Sequence, residues 1–357
     1  MNRTRVAKVL ASRPMIVLAG VIVGVLGALL VEWGNPRNMG ICAACFLRDI
    51  AGALGLHRAS AVQYLRPEVI GLVIGALISA YAFGEFRARG GSSPIVRFIL
   101  GAFMMIGALV FLGCPVRAIL RLAGGDLNAI TAIAGLVLGA VVGTTFHRRG
   151  FGLGQSTAMK TANGWALPAA MLGLLLLAVL TPGFIFASEQ GPGSMRVPLG
   201  VALVAGLVVG ILVQRTRLCM VGGWRDLFLL RDAHLFGGIA GIFAGAFVVN
   251  LMLGHVTWGF AGQPVAHSDH VWNFLGMALV GLCSALLGGC PLRQTVVAGE
   301  GDTDAGITVL GMLIGAAFAH NFLLASSPDG ATTSGQLAVV LGLVVALCFG
   351  WTMRDRE

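Results

Sequence analysis

Charged side chains are scarce in this sequence. Only 11% of the 357 residues are Asp, Glu, Lys or Arg, whereas 57% are hydrophobic. This composition is not that of a soluble globular protein, because so much apolar surface cannot be hidden in a water-solvated core. Lipid is the expected solvent, and the composition therefore predicts a membrane protein.

Lysine is almost absent, since Lys8 and Lys160 are the only two among the 24 basic residues. No basic block is interleaved with aromatic residues, which argues against a nucleic-acid partner. A GxxxxGK[ST] stretch is also missing, so the sequence carries no sign of ATP hydrolysis. The other 22 basic residues are arginines. Their planar guanidinium groups bind oxyanions, but arginines also mark the cytoplasmic ends of membrane helices.

Ten apolar segments have the length of about 20 residues that spanning a bilayer requires. Four shorter stretches lie between them, each beginning at or near a cysteine, and we expect them to be re-entrant or half-membrane helices. The sequence therefore predicts an all-α polytopic membrane protein with about ten spanning helices and four short ones. The predicted spans are 14–32, 67–84, 95–113, 126–147, 165–186, 197–214, 235–254, 271–288, 304–325 and 334–352, and the short stretches are 40–57, 114–124, 218–233 and 290–300.

The chain contains an internal repeat. Residues 113–140 align without gaps on residues 289–316, with ten identities in 28 positions. A second pair of motifs precedes this pair at nearly the same offset. Because five spans, an odd number, precede the second copy, the two halves are predicted to have inverted topology. The second pair consists of Cys42-x5-Arg48-Asp49 and Cys219-x5-Arg225-Asp226.

Basic residues are distributed unevenly between the two sides of this ten-helix arrangement. The side that bears the N-terminus carries 17 of them, and the other side carries seven. The positive-inside rule then predicts that both termini are cytoplasmic. The predicted organisation is a cytoplasmic N-terminal segment, a first repeat half, a connector with one span, a second half, and a C-terminal helix with a cytoplasmic tail. These segments cover 1–13, 14–147, 148–196, 197–325 and 326–357.

Each half contains a Gly-Cys-Pro-x-Arg motif. Proline suits the first turn of a helix, so we expect each motif to begin a short helix with its cysteine as the N-cap residue. Free amide groups at such a helix end bind anions and favour a thiolate, and the arginine three residues later adds positive charge. Alternatively, the motif only ends one helix and begins the next, with a small cysteine for packing. The residues are Cys114, Pro115 and Arg117 in the first half and Cys290, Pro291 and Arg293 in the second.

The Cys-x5-Arg-Asp motifs are expected to place a second pair of cysteines on short helices that enter from opposite sides. Aspartate next to arginine neutralises a guanidinium that is costly at membrane depth. The alternative is an interfacial ion pair that never contacts a substrate. The candidate residues are Cys42, Arg48 and Asp49 in the first half and Cys219, Arg225 and Asp226 in the second.

Thiols beside cationic groups suit an anion that also carries a polarisable chalcogen atom, such as thiosulfate or a selenium analogue. Phosphate gains little from cysteine, and Cu(I) is repelled by arginine. The predicted function is transport of such an anion, with no catalytic residue, metal or cofactor. Two alternatives stay open: a membrane redox or sulfurtransferase protein that uses Cys42 and Cys45, and a scaffold for a sulfur-carrier protein. The redox signal is weak, because Gly222 stands where the second copy would need Cys45.

Four stretches resemble the YeeE/YedE family of sulfur-transport membrane proteins, and most of all its YedE branch of proposed selenium transporters. The resemblance implies an hourglass-shaped importer of the bacterial inner membrane, with Cys42, Cys114 and Cys290 along a central path and Cys219 as the repeat counterpart of Cys42. It also implies a separate TusA-type sulfur-carrier protein as a cytoplasmic partner. The stretches are NMGICAACFLRD at 38–49, GCPVR at 113–117, RLCMVGGWRD at 217–226 and GCPLRQTVVAGEG at 289–301.

Overall fold

A computed structural model of the chain describes residues 12–354. Within that range helices dominate, and the two short strands, Arg89–Gly90 (β1) and Thr157–Ala158 (β2), pair antiparallel. Most of the predicted N-terminal segment 1–13 and the last residues of the predicted tail lie outside the described residues. The same holds for four of the basic residues counted above, Arg3, Arg5, Lys8 and Arg356.

Apart from short helical turns at Ser60–Val62, Thr161–Gly164 and Asp226–Leu230, two sets of seven helices follow one another along the described chain. Each set has the same order: a long helix, a short one, two long ones, a short one, a long one and a final apolar helix. The first set is α1 (Arg13–Glu32), α2 (Ala43–Ala53), α3 (Pro67–Phe83), α4 (Pro94–Phe111), α5 (Pro115–Ala123), α6 (Asn128–Arg148) and α7 (Ala166–Leu180). The second is α8 (Leu199–Thr216), α9 (Met220–Arg225), α10 (His234–Met252), α11 (His270–Leu287), α12 (Pro291–Gly299), α13 (Thr303–Asn321) and α14 (Thr333–Thr352).

The predicted fold class is confirmed, since nine helices in the described range are long and apolar enough to cross a membrane. The segment predicted to span at 165–186 differs, because α7 has only 15 residues. At 1.5 Å per residue such a helix is about 22 Å long, which is less than the hydrocarbon thickness of about 30 Å. It ends where Thr181 adopts a left-handed conformation, directly before Pro182.

Packing between the two sets repeats itself. Helix α1 packs on α10 and α3 packs on α8, while α6 packs on α11 and α13 packs on α4. If every helix is exchanged for its counterpart seven helices away in the chain, the α1–α10 pair becomes the α8–α3 pair. The same exchange turns the α6–α11 pair into the α13–α4 pair. The same exchange relates the contact of α2 with α12 to that of α9 with α5. Helix α7 is the exception, because it packs on α3 whereas α14 packs on α4 and α11.

The counterparts α4 and α11 run antiparallel. Ser284 of α11 lies 3.3 Å from the sulfur of Met104, whereas Gly276, further back in α11, lies against Val110, further along α4. Counterpart helices that cross in opposite directions are expected of an inverted repeat, in which one half is turned over relative to the other.

Glycine residues bring the paired helices into backbone contact. A Cβ atom at Gly20 of α1 would lie 2.1 Å from the carbonyl oxygen of Gly238 in α10. In the counterpart pair, a Cβ at Gly71 of α3 would lie 2.4 Å from the carbonyl oxygen of Leu203 in α8. Close approach at small residues is the main source of helix association in lipid, where burial of apolar surface gives no driving force.

Both ends of the described chain lie at one face of the molecule. Arg13, at the start of α1, makes an ion pair with Asp232 just before α10, at 3.2 Å. Phe151, just after α6, forms a bridge with Arg354, just after α14. We call the side of the molecule that bears Arg13, Phe151, Asp232 and Arg354 the N-terminal face. The other side is the opposite face.

Candidate functional site

Every motif cysteine is the N-cap residue of a short helix. Cys114 precedes α5 and Cys290 precedes α12, and in both cases proline opens the helix. The sulfur of Cys42 accepts from the Cys45 N–H at 3.3 Å, and that of Cys219 accepts from the Gly222 N–H at 3.4 Å. The positive ends of four helix dipoles therefore lie at these sulfur atoms.

The four cysteines meet as two pairs. The Cys42 thiol lies close to that of Cys114, and the Cys219 thiol lies close to that of Cys290. Each pair thus joins one Cys-x5-Arg-Asp motif to the Gly-Cys-Pro motif of the same half. Both pairs are buried, with Cys219 the most exposed member at 8%. The sequence predicts the position of each cysteine at a helix start, but not which thiols meet.

Arg117 lies beside the first pair and is fully buried. Its guanidinium donates to the carbonyl groups of Asn38 at 2.9 Å, Val265 at 3.0 Å and Leu112, and its Nη1 lies 3.4 Å from the sulfur of Cys45. Over residues 12–354, no carboxylate lies within ion-pair distance of this cation. A buried positive charge that meets only neutral groups is a strong attractor of anions.

Arg293, the repeat counterpart of Arg117, has a different environment. Its Nη1 donates to Glu300 at 3.2 Å, and the other oxygen of Glu300 accepts from Arg217 at 3.4 Å. Arg217 in turn donates to Glu85 at 2.9 Å. Three of these residues, Glu85, Arg217 and Glu300, border a polar cavity of about 290 Å³ at the N-terminal face, which we call the vestibule. Its lining residues are Glu85, Arg87, Arg89, Arg217 and Glu300.

A narrow cavity approaches the first arginine from the opposite face. Its volume is about 20 Å³, which is room for about one water molecule. Asn38 and Pro264 line it. The Asn38 carbonyl accepts from Arg117, and Pro264 precedes Val265, whose carbonyl also accepts from Arg117. Each face of the protein therefore has a cavity lined by a residue that hydrogen-bonds one of the two counterpart arginines, Asn38 for Arg117 and Glu300 for Arg293.

The two Arg-Asp pairs differ in burial. Asp49 binds both Arg48 at 2.6 Å and Arg66 at 2.7 Å, and all three side chains are at most 4% exposed. In the second half, Arg225 and Asp226 bond to each other at 2.7 Å, but the Arg225 side chain is 41% exposed. The helices differ as well, since α2 has 11 residues, whereas α9 has six and passes into a π-helical turn at Asp226–Leu230.

Three members of the site are not predicted as such by the sequence. Cys45 is predicted only as a redox candidate, yet it is the thiol that contacts Arg117. Glu300 aligns with Gly124 in the repeat. A carboxylate that is present in only one of the two aligned motifs is the feature of the sequence that indicates a special role for Glu300. Arg66 completes the Asp49 ion pair from a loop, and no motif spacing indicates that contact.

Comparison with known proteins extends over most of the chain. The sulphur-transport family matches residues 1–142 and 215–353. The thiosulfate transporter TsuA of Spirochaeta thermophila is 32% identical over 114 residues, which are 32% of this chain. The chain thus covers only about a third, 34%, of that relative's length. The two family-matched ranges contain both cysteine pairs and both counterpart arginines, and the chain belongs to the sulphur-transport family.

Proposed function

We propose that this protein transports a small sulfur- or selenium-containing oxyanion, such as thiosulfate or its selenium analogue. The observation that carries the proposal is Arg117, a fully buried guanidinium that meets carbonyl groups and the Cys45 thiol but no carboxylate among the described residues. An anion that reaches this cation gains a charge-assisted interaction in a medium of low dielectric constant. The relative TsuA is named a thiosulfate transporter, which supports the same substrate class.

The thiols favour a soft anion over a hard one. Thiosulfate and its selenium analogue carry a polarisable terminal atom that contacts S–H groups, together with oxygen atoms that suit a guanidinium fork. In the proposed path the anion passes from Arg117 to the Cys42–Cys114 pair, then to the Cys219–Cys290 pair and Arg293. Weak contacts with thiols hand an anion on without trapping it, as conduction requires.

We also propose an orientation in the membrane. The N-terminal face would be cytoplasmic in the bacterial inner membrane, because the side of the chain that bears the N-terminus carries 17 of the 24 basic residues. The anion would then enter from the opposite face and leave through the vestibule. A TusA-type sulfur carrier on the cytoplasmic side is the partner that family resemblance implies, and co-purification with the full-length protein tests it.

Uptake into proteoliposomes tests the proposal. Purified protein should admit ³⁵S-labelled thiosulfate, with competition by unlabelled selenosulfate but not by phosphate. Substitutions Cys42→Ala, Cys114→Ala and Cys290→Ala should each lower the initial rate about tenfold, equivalent to about 1.4 kcal/mol. Cys348→Ala is the matched control, because that thiol is exposed on α14. Uptake no faster than in empty liposomes, or equal rates in all four variants, would contradict the proposal.

A specific contact favours one second candidate, a membrane redox or sulfurtransferase activity. The sulfur atoms of Cys42 and Cys45 lie 2.7 Å apart at the start of α2. Two adjacent thiols at a helix N-terminus are able to cycle between the dithiol and the disulfide. This candidate predicts that Cys45→Ser abolishes function while Cys290→Ser is tolerated. The transport proposal predicts the reverse ranking, so the same uptake assay separates the two.

A further inference from the structure

Arg117 and Arg293 occupy equivalent positions in the repeat but differ in charge balance. Arg117 meets neutral groups, whereas Arg293 donates to the carboxylate of Glu300 at 3.2 Å. The position that matches Glu300 in the first half is Gly124, which has no side chain to offer. The second arginine thus already holds an anion that belongs to the protein itself.

Glu300 lies between a buried and an exposed arginine. One carboxylate oxygen contacts Arg293, whose side chain is 11% exposed, and the other contacts Arg217, which is 50% exposed and borders the vestibule. The two contacts are 3.2 and 3.4 Å long, so one carboxylate is shared between the two arginines.

The backbone of Glu300 is fixed while its carboxylate depends on the arginines. Its carbonyl oxygen accepts from the Arg87 N–H at 3.0 Å, which ties this point of the chain to the loop before α4. Glu300 is also the C-cap residue of α12. The negative end of a helix dipole repels a carboxylate, so the helix itself does not hold the side chain in place.

We propose that Glu300 is a gate at the vestibule side of the path. In the resting protein it neutralises Arg293 as an internal substitute for the substrate anion. A substrate that arrives from the cysteine pairs competes for the same donors and repels the carboxylate, which moves onto Arg217 and leaves Arg293 to the substrate. Return of Glu300 to Arg293 then displaces the substrate into the vestibule.

This gate rests on the proposed transport function and makes it more specific. It separates the two arginine sites, since Arg117 receives an anion directly, whereas Arg293 receives one only in exchange for its own carboxylate. The gate changes how fast the anion leaves and how tightly it is held. It does not change the equilibrium distribution of the anion across the membrane, because Glu300 is not consumed.

Binding and flux of ³⁵S-thiosulfate in the full-length protein test the gate. In Glu300→Gln the competing charge is gone, so equilibrium binding should tighten at least about fivefold and the saturated uptake rate should fall by a similar factor, the scale of a typical coupling between sites. Asp232→Asn is the matched control. It removes a negative charge that pairs with Arg13 at the same face, outside the path, and should leave both quantities within about twofold.

A second variant keeps the test sharp if Glu300→Gln is poorly folded. Arg217→Gln removes the alternative partner of Glu300, so the carboxylate should stay on Arg293, and both substrate binding and uptake should weaken about fivefold. Opposite effects of the two variants on binding support the gate. Wild-type flux with unchanged binding in both variants would overturn the gate and leave the transport proposal standing. Absence of flux in the wild type would instead refute transport itself.

Discussion

The guanidinium of Arg117 lies 3.4 Å from the sulfur of Cys45. The second half of the repeat has no equivalent of this contact between an arginine and a third cysteine. There Gly222 replaces Cys45, and Arg293 turns to Glu300. Two halves with matching helices therefore have unlike centres. Among the described residues, the first half has a buried arginine without a carboxylate partner and three thiols nearby. The second half has two thiols and an arginine that is paired with a glutamate.

Removing the Arg117 charge should slow transport strongly and should leave the protein folded. In Arg117→Gln we expect thiosulfate uptake to fall at least about tenfold, because about 1.4 kcal/mol or more of anion attraction is lost. The free energy of unfolding should fall by about 1–3 kcal/mol, because no carboxylate in the described range is left unpaired but carbonyl groups that accept from Arg117 lose a donor. Arg117→Lys retains the charge but not the planar fork and should give an intermediate rate. Proteoliposome uptake and thermal melting of the detergent-solubilised protein check both halves of this expectation; a full rate in Arg117→Gln would contradict it.

The two Arg-Asp motifs should differ sharply in their contribution to stability. Asp49→Asn leaves Arg48 and Arg66 buried without their shared carboxylate, which should cost about 3–5 kcal/mol. The repeat supplies the control, Asp226→Asn, where Arg225 is 41% exposed and the loss should stay below about 1 kcal/mol. Denaturant or thermal unfolding in one detergent measures the difference. Equal destabilisation by the two substitutions would show that burial does not set the strength of these pairs.

Much of the fold follows from local sequence. The apolar segments predicted at 14–32 and 334–352 agree with α1 and α14 to within one residue at each end, because serine or threonine precedes each helix and a polar or charged residue lies within three positions after its end. Pro115 and Pro291 fix the starts of α5 and α12, since proline lacks an N–H and fits the first turn. The segment at 165–186 is overestimated, because apolar residues continue after Thr181 in a stretch that is not helical.

The centre of the site is less predictable for a physical reason. Spacing along the chain shows that Cys42 and Cys114 both start helices, but their contact depends on how α2 and α5 are held by the long helices. The surroundings of Arg117 come from Asn38 and Val265, two loop residues far apart in sequence. Such contacts are set by tertiary packing, which hydrophobic periodicity does not encode.

Acidification should weaken the stabilising contribution of Glu85 in the vestibule only below about pH 4.5. Burial alone would raise the pKa of Glu85, but hydrogen bonds from Gln214 and Arg215 and the charges of Arg215 and Arg217 outweigh it, so this pKa lies below its ordinary value of 4.5. Because the folded-state pKa is depressed, the stabilisation is fully present above about pH 4.5 and is lost as pH falls through the lower folded value.

The measurement compares wild type with Glu85→Gln in thermal melts from pH 7 to pH 3.5. The gap between their melting temperatures should be constant down to about pH 5 and should narrow below about pH 4.5, where the unfolded chain takes up the proton first. A gap that closes between pH 7 and pH 6 would mean that the Glu85 carboxylate titrates in a different environment from the one described.

Backbone contact between α1 and α10 should make Gly20 intolerant of the smallest side chain. A Cβ atom there would lie 2.1 Å from the carbonyl oxygen of Gly238, so Gly20→Ala requires the two helices to move apart. Overpacking of this kind typically costs about 1–3 kcal/mol. Gly173→Ala is the control, because nothing lies within 4 Å of a Cβ at that position of α7, and alanine there should be neutral or stabilise by up to about 1 kcal/mol. If both variants unfold at the same temperature as the wild type, then α1 and α10 are not in backbone contact at Gly20.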